Sequence, residues 1–573
     1  MSFENTKLMN IREIFSASRE LNPKHQNFDS VARTNSGLTP YTGTWTISEV
    51  KHLLKRTMFG ARRSEVTYFL GLGASNAVDT LLEVINHPVF TPPLPPLNNY
   101  SNILTDPQCG AGQPWPGTPD TNSGGVFTYG LRRKSLKSWW MSQMLNQPKS
   151  LREKMVLFWS NHFVIEFDTV QVSTFVYKYN QLLREYALGN FKNFTKQITI
   201  NSGMLVYLNG DKNTSFAPNE NYGRELQELF TVGKDINGNP QYTEDDVKEA
   251  SRALTGWRNN LVNGTSSNGY NSYFQPNKHD VNNKTFSSWY GNAVITGQSG
   301  AAGANEVDDL MNIIFQRNEV AEFICRKLYR WFVYYDIDST TETNVIIPLA
   351  DIFRSNNYDI VPVLSALFKS EHFFDVLNRG CLIKSPIDFA VGLSREFEIV
   401  FPDNTNLIAQ YASWDKIRAQ SLSFQMDIGD PPNVAGWQAY YQEPSFHEMW
   451  INSDTLPKRN QFSDRMTNNG YTSSGQTIII DVVALTETFT NPGDPVALID
   501  EVLAIHYATE PTSGLQSYLL SILLSGQVSN SYWTTAWEDY KGDPTNLTFY
   551  NIVKTRLQSF YKYIMDLSEY QLS

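Results

Sequence analysis

Apolar residues recur at helical spacing along most of this chain, and the two-residue alternation of a half-buried strand is rare. That contrast restricts the fold more than any other feature. Leu151, Met155, Phe158 and His162 fall at i, i+4, i+7 and i+11, one stripe of one helix. The same spacing predicts helices over 175–187, 191–198, 307–315, 320–332 and 363–374, with Tyr222, Leu226 and Leu229 marking another and Val247, Ala250, Leu254 and Trp257 a further one. Near the start, Thr46 and Glu49 form a capping box. Val50, Leu53, Leu54 and Met58 keep one face apolar, and Gly60 sits where a helix stop belongs. A second helix is expected over 77–85, and the best strand candidate is 477–483. The expected class is mainly α, a large helical bundle-like body.

Several segments interrupt the helical pattern. Nine of the 27 prolines lie in 88–119, and because proline fixes φ and lacks an amide donor, this segment is expected to be an extended strap across the surface. Residues 258–305 are rich in Asn, Gly and Ser and read as a long polar excursion, 401–476 read as loop-rich, and 495–525 and 546–567 as helical. The expected organisation is an irregular arm over 1–44, with Leu8, Ile11 and Phe15 as a docking turn, then a helical core over 45–470 and a helical extension over 471–573.

Composition removes several function classes. The net charge is −11 with pI near 5.4, which leaves no general electrostatic footprint for nucleic acid. Cys109, Cys325 and Cys381 are too few for a disulfide framework or a thiolate zinc site. No stretch reaches the roughly 18 apolar residues of a spanning helix, and charges interrupt the first twenty residues where a signal peptide needs an apolar core. The cytoplasm is the default expectation. The chain has no His-Glu-x-x-His, Gly-x-Ser-x-Gly, Walker loop or Cys-x-x-Cys. Gly297, Gly300 and Gly303 precede a helix whose first turn carries Glu306, Asp308 and Asp309, and these acids would repel a phosphate.

Four runs stand together in order. They are Phe158, Trp159, Ser160, Asn161, His162 and Phe163; a 219–233 run through Tyr222, Gly223, Arg224, Glu225, Glu228 and Gly233; a 242–257 run ending Ala253, Leu254, Thr255, Gly256 and Trp257; and Pro431, Pro432, Asn433, Val434, Ala435, Gly436 and Trp437. Lys278, His279 and Asp280, and the 383–389 run through Lys384, Ser385, Pro386 and Asp388, follow the same pattern. This set resembles the bacterial family named domain of unknown function 1800, from about residue 45 to about 459. The resemblance implies no settled activity. It implies a frequent gene neighbour, of the domain of unknown function 1501 family, that looks like a metal-dependent sulfatase or phosphatase and is often exported. Co-export with such a partner is therefore the alternative to the cytoplasm. Ser160 stands where that family carries a bulkier polar residue, often His, and Gly223 where it carries Ala. The first difference removes a candidate metal ligand.

The residues with chemistry to offer are His162, Glu225, Glu228, Arg224, Arg252, His279 and Asp280. His162 on an apolar stripe reads as a core histidine or, with a carboxylate beside it, as an acid/base group. Glu225 and Glu228, at i and i+3, can converge on one cation or proton, or pair with Arg224, Arg252 or Arg258. His279 and Asp280 in a loop suit an acid/base pair or an Asx-turn. Asp235, Asn237, Asn239, Thr243 and Asp246 have calcium-loop spacing, although Pro240 stands where the EF-hand needs Gly; the competing reading is a turn followed by Thr243 capping a helix. Trp257, Trp289, Trp437 and Trp450 can form a sugar-stacking cleft or fill the core. Two function classes follow. One is an enzyme with an acid/base or metal-assisted site for a polar, glycan-like substrate, and the other is a non-enzymatic partner of the sulfatase-like protein.

Overall fold

The computed structural model describes residues 37–85, 90–101, 104–123, 126–234, 238–261 and 268–573. Helices hold 57% of the described residues, and the ladders among them are antiparallel pairs of two or three residues per strand. The chain is mainly α, as its periodicity predicts. One contiguous apolar core runs from Val50 to Tyr570.

Local signals set most element ends. Thr46 and Glu49 make the reciprocal capping box of the helix Ile47–Thr57, and Gly60 adopts φ +71° just past it. Arg152–His162 packs on Ser173–Glu185, and Asn318–Phe332 on Ile347–Ser355. The helix predicted over 77–85 runs instead from Ala74 to Leu81 and is followed by Glu83 at φ +58°. The helix predicted over 363–374 ends at Phe368. The helix with Val247 and Ala250 stops at Ala253, so Trp257 opens a strand paired with Ser272–Phe274.

The segment read as loop-rich, 401–476, needs correction. It contains the helices Leu407–Ser423 and Thr455–Asn468. Leu407–Ser423 buries Ala409, Ser413 and Ser421 beside Tyr411, Trp414 and Ile417. Small polar residues thus occupy core positions against Thr128–Leu145 and Pro386–Glu396, which dilutes the hydrophobic period. The strand predicted over 477–483 is a short hairpin, Tyr471–Ser473 with Gln476–Ile478, and the helix Val482–Glu487 follows.

The proline-rich segment is extended but is not simply a surface strap. Trp115 is fully buried and its indole donates to Ser135 Oγ at 3.1 Å. Asp106 and Arg132 form a buried ion pair at 2.8 Å. These anchors fasten the segment to the helix Thr128–Leu145 and supply the tertiary contacts that a helix-incompetent run cannot make for itself. Of the N-terminal arm, Leu8, Ile11 and Phe15 lie outside the described residues.

Gly223 shows how closely two motif helices approach. A Cβ there would meet Ser251 Oγ at 2.3 Å and Val247 O at 3.0 Å, because Glu220–Glu225 lies directly on Glu244–Ala253. Gly223→Ala is expected to destabilise by about 1–3 kcal/mol through overpacking. The additional Ser251→Ala change should recover part of that loss, as read from urea midpoints.

Candidate functional site

The sequence candidates do not form one cluster. His162 is buried beside the helix Glu220–Glu225, which continues as a π-helical turn, Leu226–Thr231. Its Nε2 lies 3.1 Å from Phe230 O and its Nδ1 3.1 Å from Lys327 Nζ, while Lys327 also reaches Leu229 O at 3.3 Å. The simplest proton assignment has Nε2–H donating to the carbonyl and Nδ1 accepting from the lysine. Both side chains therefore satisfy carbonyls near the end of that helical segment. Burial, and then the Lys327 charge, hold His162 well below the usual imidazole value. Burial, and then Arg330, bring the half-buried Lys327 amine down to about 7.

The acidic and basic candidates pair differently from the expectation. Glu228 bonds Lys234 at 2.6 Å and accepts from Tyr242 at 3.5 Å. Arg224 grips Glu244 with two bonds of 2.8 and 2.6 Å. Arg252 holds Glu249 at 2.7 Å and Asp280 at 2.8 Å. The expected pairing of Glu225 and Glu228 with arginines is thus replaced by Lys234 and Tyr242 at Glu228. Glu225 is half-buried, and burial and then Glu228 raise its carboxyl.

Of the candidates, Arg252, His279 and Asp280 come together, in a network that fastens the polar excursion to its neighbours. His279 Nδ1 faces Thr255 O at 2.9 Å and its Nε2 faces Glu306 at 3.0 Å, while Lys284 pairs with the other Glu306 oxygen at 2.5 Å. Gly256 and Gly303 press on the His279 side chain, and a Cβ at Gly303 would come within 2.6 Å of the ring. The imidazole is walled in. Burial pushes the Asp280 carboxyl up, and its bonds to Arg252 and Asn282 more than reverse this.

The calcium candidates Asp235 and Asn237 lie outside the described residues. The Asp246 carboxylate, fully buried, caps Thr243 at 2.8 Å and accepts from Ser287 N at 2.7 Å, so it is committed to the helix cap and to docking the excursion. Among the described residues no group of three or more His, Cys, Asp and Glu side chains has a geometry suited to a metal ion. The four tryptophans considered for a sugar cleft also divide. Trp437 and Trp450 are buried, and Trp289 stacks under Arg317 at 4.2 Å.

A different cavity, of about 40 Å³, is lined by cations from three helices: Lys55 and Arg56, Lys154, and Arg330. Arg56 is 3% exposed; its Nη2 donates to Asn378 O at 2.9 Å, while Nε and Nη1 have no hydrogen-bond partner among the described residues. Arg330 donates from Nε to Tyr335 O at 3.2 Å. No carboxylate among the described residues lies within ion-pair distance of either guanidinium. Lys154 pairs with Asp388, and Ser385 caps the helix Pro386–Glu396 by accepting from Asp388 N at 3.1 Å.

The remaining wall is formed by the chain after Trp437. Tyr440 stacks on Trp331 at 4.1 Å, and His447 takes the Ile383 N–H on Nδ1 at 3.2 Å. Burial, and then Arg56, push His447 down to about 4, so at neutral pH its imidazole is uncharged and carries its proton on Nε2. That Nε2 also has no partner among the described residues. Asn161 Oδ1 accepts the Trp437 N–H at 2.8 Å, so the first sequence motif anchors the fourth and the fourth leads into the cavity wall.

Behind the cavity, Lys55 pairs with Glu396 at 3.2 Å, while Lys384 lies 3.8 Å from the same carboxylate and 3.7 Å from the Tyr570 ring centre. Burial dominates at both Lys384, brought down to about 7, and Arg459, brought down to about 9. Sequence reasoning missed Arg56, Lys154, Arg330 and His447. The available signal was a charge on an apolar stripe, since Lys154 stands four residues before Phe158, and the quoted motif holding Ser385 and Asp388.

No curated protein and no solved structure matches this chain. A family model described as a protein of unknown function, DUF1800, matches residues 52–572, nearly the whole length. The motifs that meet around Asn161, Trp437 and Ser385 lie within that match, and the chain belongs to the DUF1800 family.

Proposed function

We propose that the protein binds a compact anionic group of a polar ligand in the cavity walled by Arg56, Lys154, Arg330 and His447. The observation that carries this reading is Arg56, a nearly fully buried guanidinium with two nitrogens unpartnered among the described residues and no carboxylate at ion-pair distance. A buried charge left without a counter-charge costs several kcal/mol, and an anionic ligand relieves that cost. The reading keeps the polar substrate class expected from the sequence and moves its recognition away from Glu225 and Glu228. His162 and Lys327 serve in it as positioning residues, because the helix that ends in His162 also carries Lys154 and Asn161.

Full-length protein dialysed into chloride buffer should show a saturable rise in melting temperature with sulfate. At about 100-fold excess over Kd the stabilisation should be about 2.7 kcal/mol. Arg56→Met should remove the saturable component and keep only the weak, linear effect sulfate has on any folded protein. A wild-type response that is linear throughout, or one that survives in Arg56→Met, rejects the proposal.

A further inference from the structure

We infer that the cavity is matched to a doubly charged tetrahedral oxyanion, either the end of a phosphate monoester or the free phosphate or sulfate ion. This inference rests on the anion-binding reading and adds its ligand class. Four cations face the cavity, and two carboxylates reach them at ion-pair distance: Asp388 at Lys154 and Glu396 at Lys55. Arg56 and Arg330 are left over. Glu443, Asp336 and Glu342 act on Arg330 only from beyond ion-pair distance. The layer behind does not supply the missing negative charge, because Lys384 shares Glu396 with Lys55, and Arg459 bonds Lys384 O and Gln571 without a carboxylate. Two guanidiniums without a carboxylate at ion-pair distance match the two charges of a dianion.

Shape points the same way. A cavity of about 40 Å³ holds about three waters, the scale of a tetrahedral oxyanion and too small for a sugar ring. Nε and Nη1 of Arg56 are unpartnered among the described residues, and as donors on different edges of the guanidinium each can meet a separate oxygen. Arg330 and the uncharged His447 Nε2–H come from other segments of the wall and are available to further oxygens. A carboxylate has only two oxygens and would leave donors unmet. His447 contributes a donor without adding a third charge.

The test is calorimetric titration of the full chain at pH 7.5 in chloride buffer with sulfate, inorganic phosphate, methyl phosphate, nitrate and acetate. Sulfate and phosphate should bind at least about tenfold more tightly than nitrate and acetate. Arg56→Gln and Arg330→Gln should each bring sulfate down to the nitrate level. Methyl phosphate binding as well as phosphate supports the ester-end source, and its exclusion supports the free ion. Equal affinity for sulfate and nitrate overturns the dianion inference while leaving the anion-binding reading intact. No binding of any of the five overturns both. Should either variant lose its native melting transition, the wild-type ranking of the five anions decides the matter.

Discussion

Glu396→Ala is expected to lower the stability of the folded chain by about 3–5 kcal/mol, because removing one partner of a buried ion group strands the others. Glu396 is the carboxylate between Lys55 at 3.2 Å and Lys384 at 3.8 Å, and it accepts the Tyr570 hydroxyl at 2.8 Å. Burial pushes its carboxyl up, but Lys384, Lys55 and His506 together outweigh that and hold it well below the usual carboxylate range. A depressed carboxyl contributes stability that is fully present above its unfolded value, about 4.3, and is lost as pH falls through the lower folded value. Lys384 acts in the same direction over a higher pH window. With its amine lowered from 10.5 to about 7, the folded chain binds fewer protons than the unfolded chain across that window, so Lys384 makes stability rise with pH there. Lys384→Met should flatten this rise, and its stability relative to the wild type should be higher at pH 6.5 than at pH 9. Urea midpoints at the two pH values measure both effects, and an Glu396→Ala midpoint equal to that of the wild type would contradict the account of the cluster.

Gly436→Ala is expected to cost about 2–5 kcal/mol and to abolish sulfate binding. Gly436 sits at φ +93°, and a Cβ there would lie 2.3 Å from Asn161 Oδ1 and 2.6 Å from Asn161 O. Backbone strain of about 1–3 kcal/mol adds to an overpacking cost of similar size. The clash falls on the Asn161 oxygen that holds the Trp437 N–H, so relief must move the chain leading to Tyr440 and His447. Gly475→Ala provides the comparison. Gly475 has φ +78° but no atom within 4 Å of its Cβ position, so only strain remains and sulfate binding should persist. Equal losses at the two glycines would show that the Asn161 contact does not hold the wall.

The helical class, the capping boxes at Thr46 and Thr243 and the stripe ending in His162 were legible in the sequence because each depends on residues three or four apart. The family was legible for a related reason, since its motifs are contiguous runs. The helix Leu407–Ser423 was not, because Ser413 and Ser421 occupy core positions and a serine carries no hydrophobic signal until its neighbours are known. The partners of Glu228, Arg224 and Arg252 were also beyond local reach. Long charged side chains pair with whatever the packing brings within 4 Å, and Asp280 stands 28 residues from Arg252. The cavity marks the limit most clearly. Arg56, Lys154, Arg330, Ser385 and His447 come from separate segments that together span 391 positions of the chain, and each reads alone as an ordinary solvated or capping residue. The sequence by itself determined which helices form and which motif runs they carry. Only the tertiary structure decided which charges are taken out of water together, since the cost of burying a charge is set by its neighbours in space.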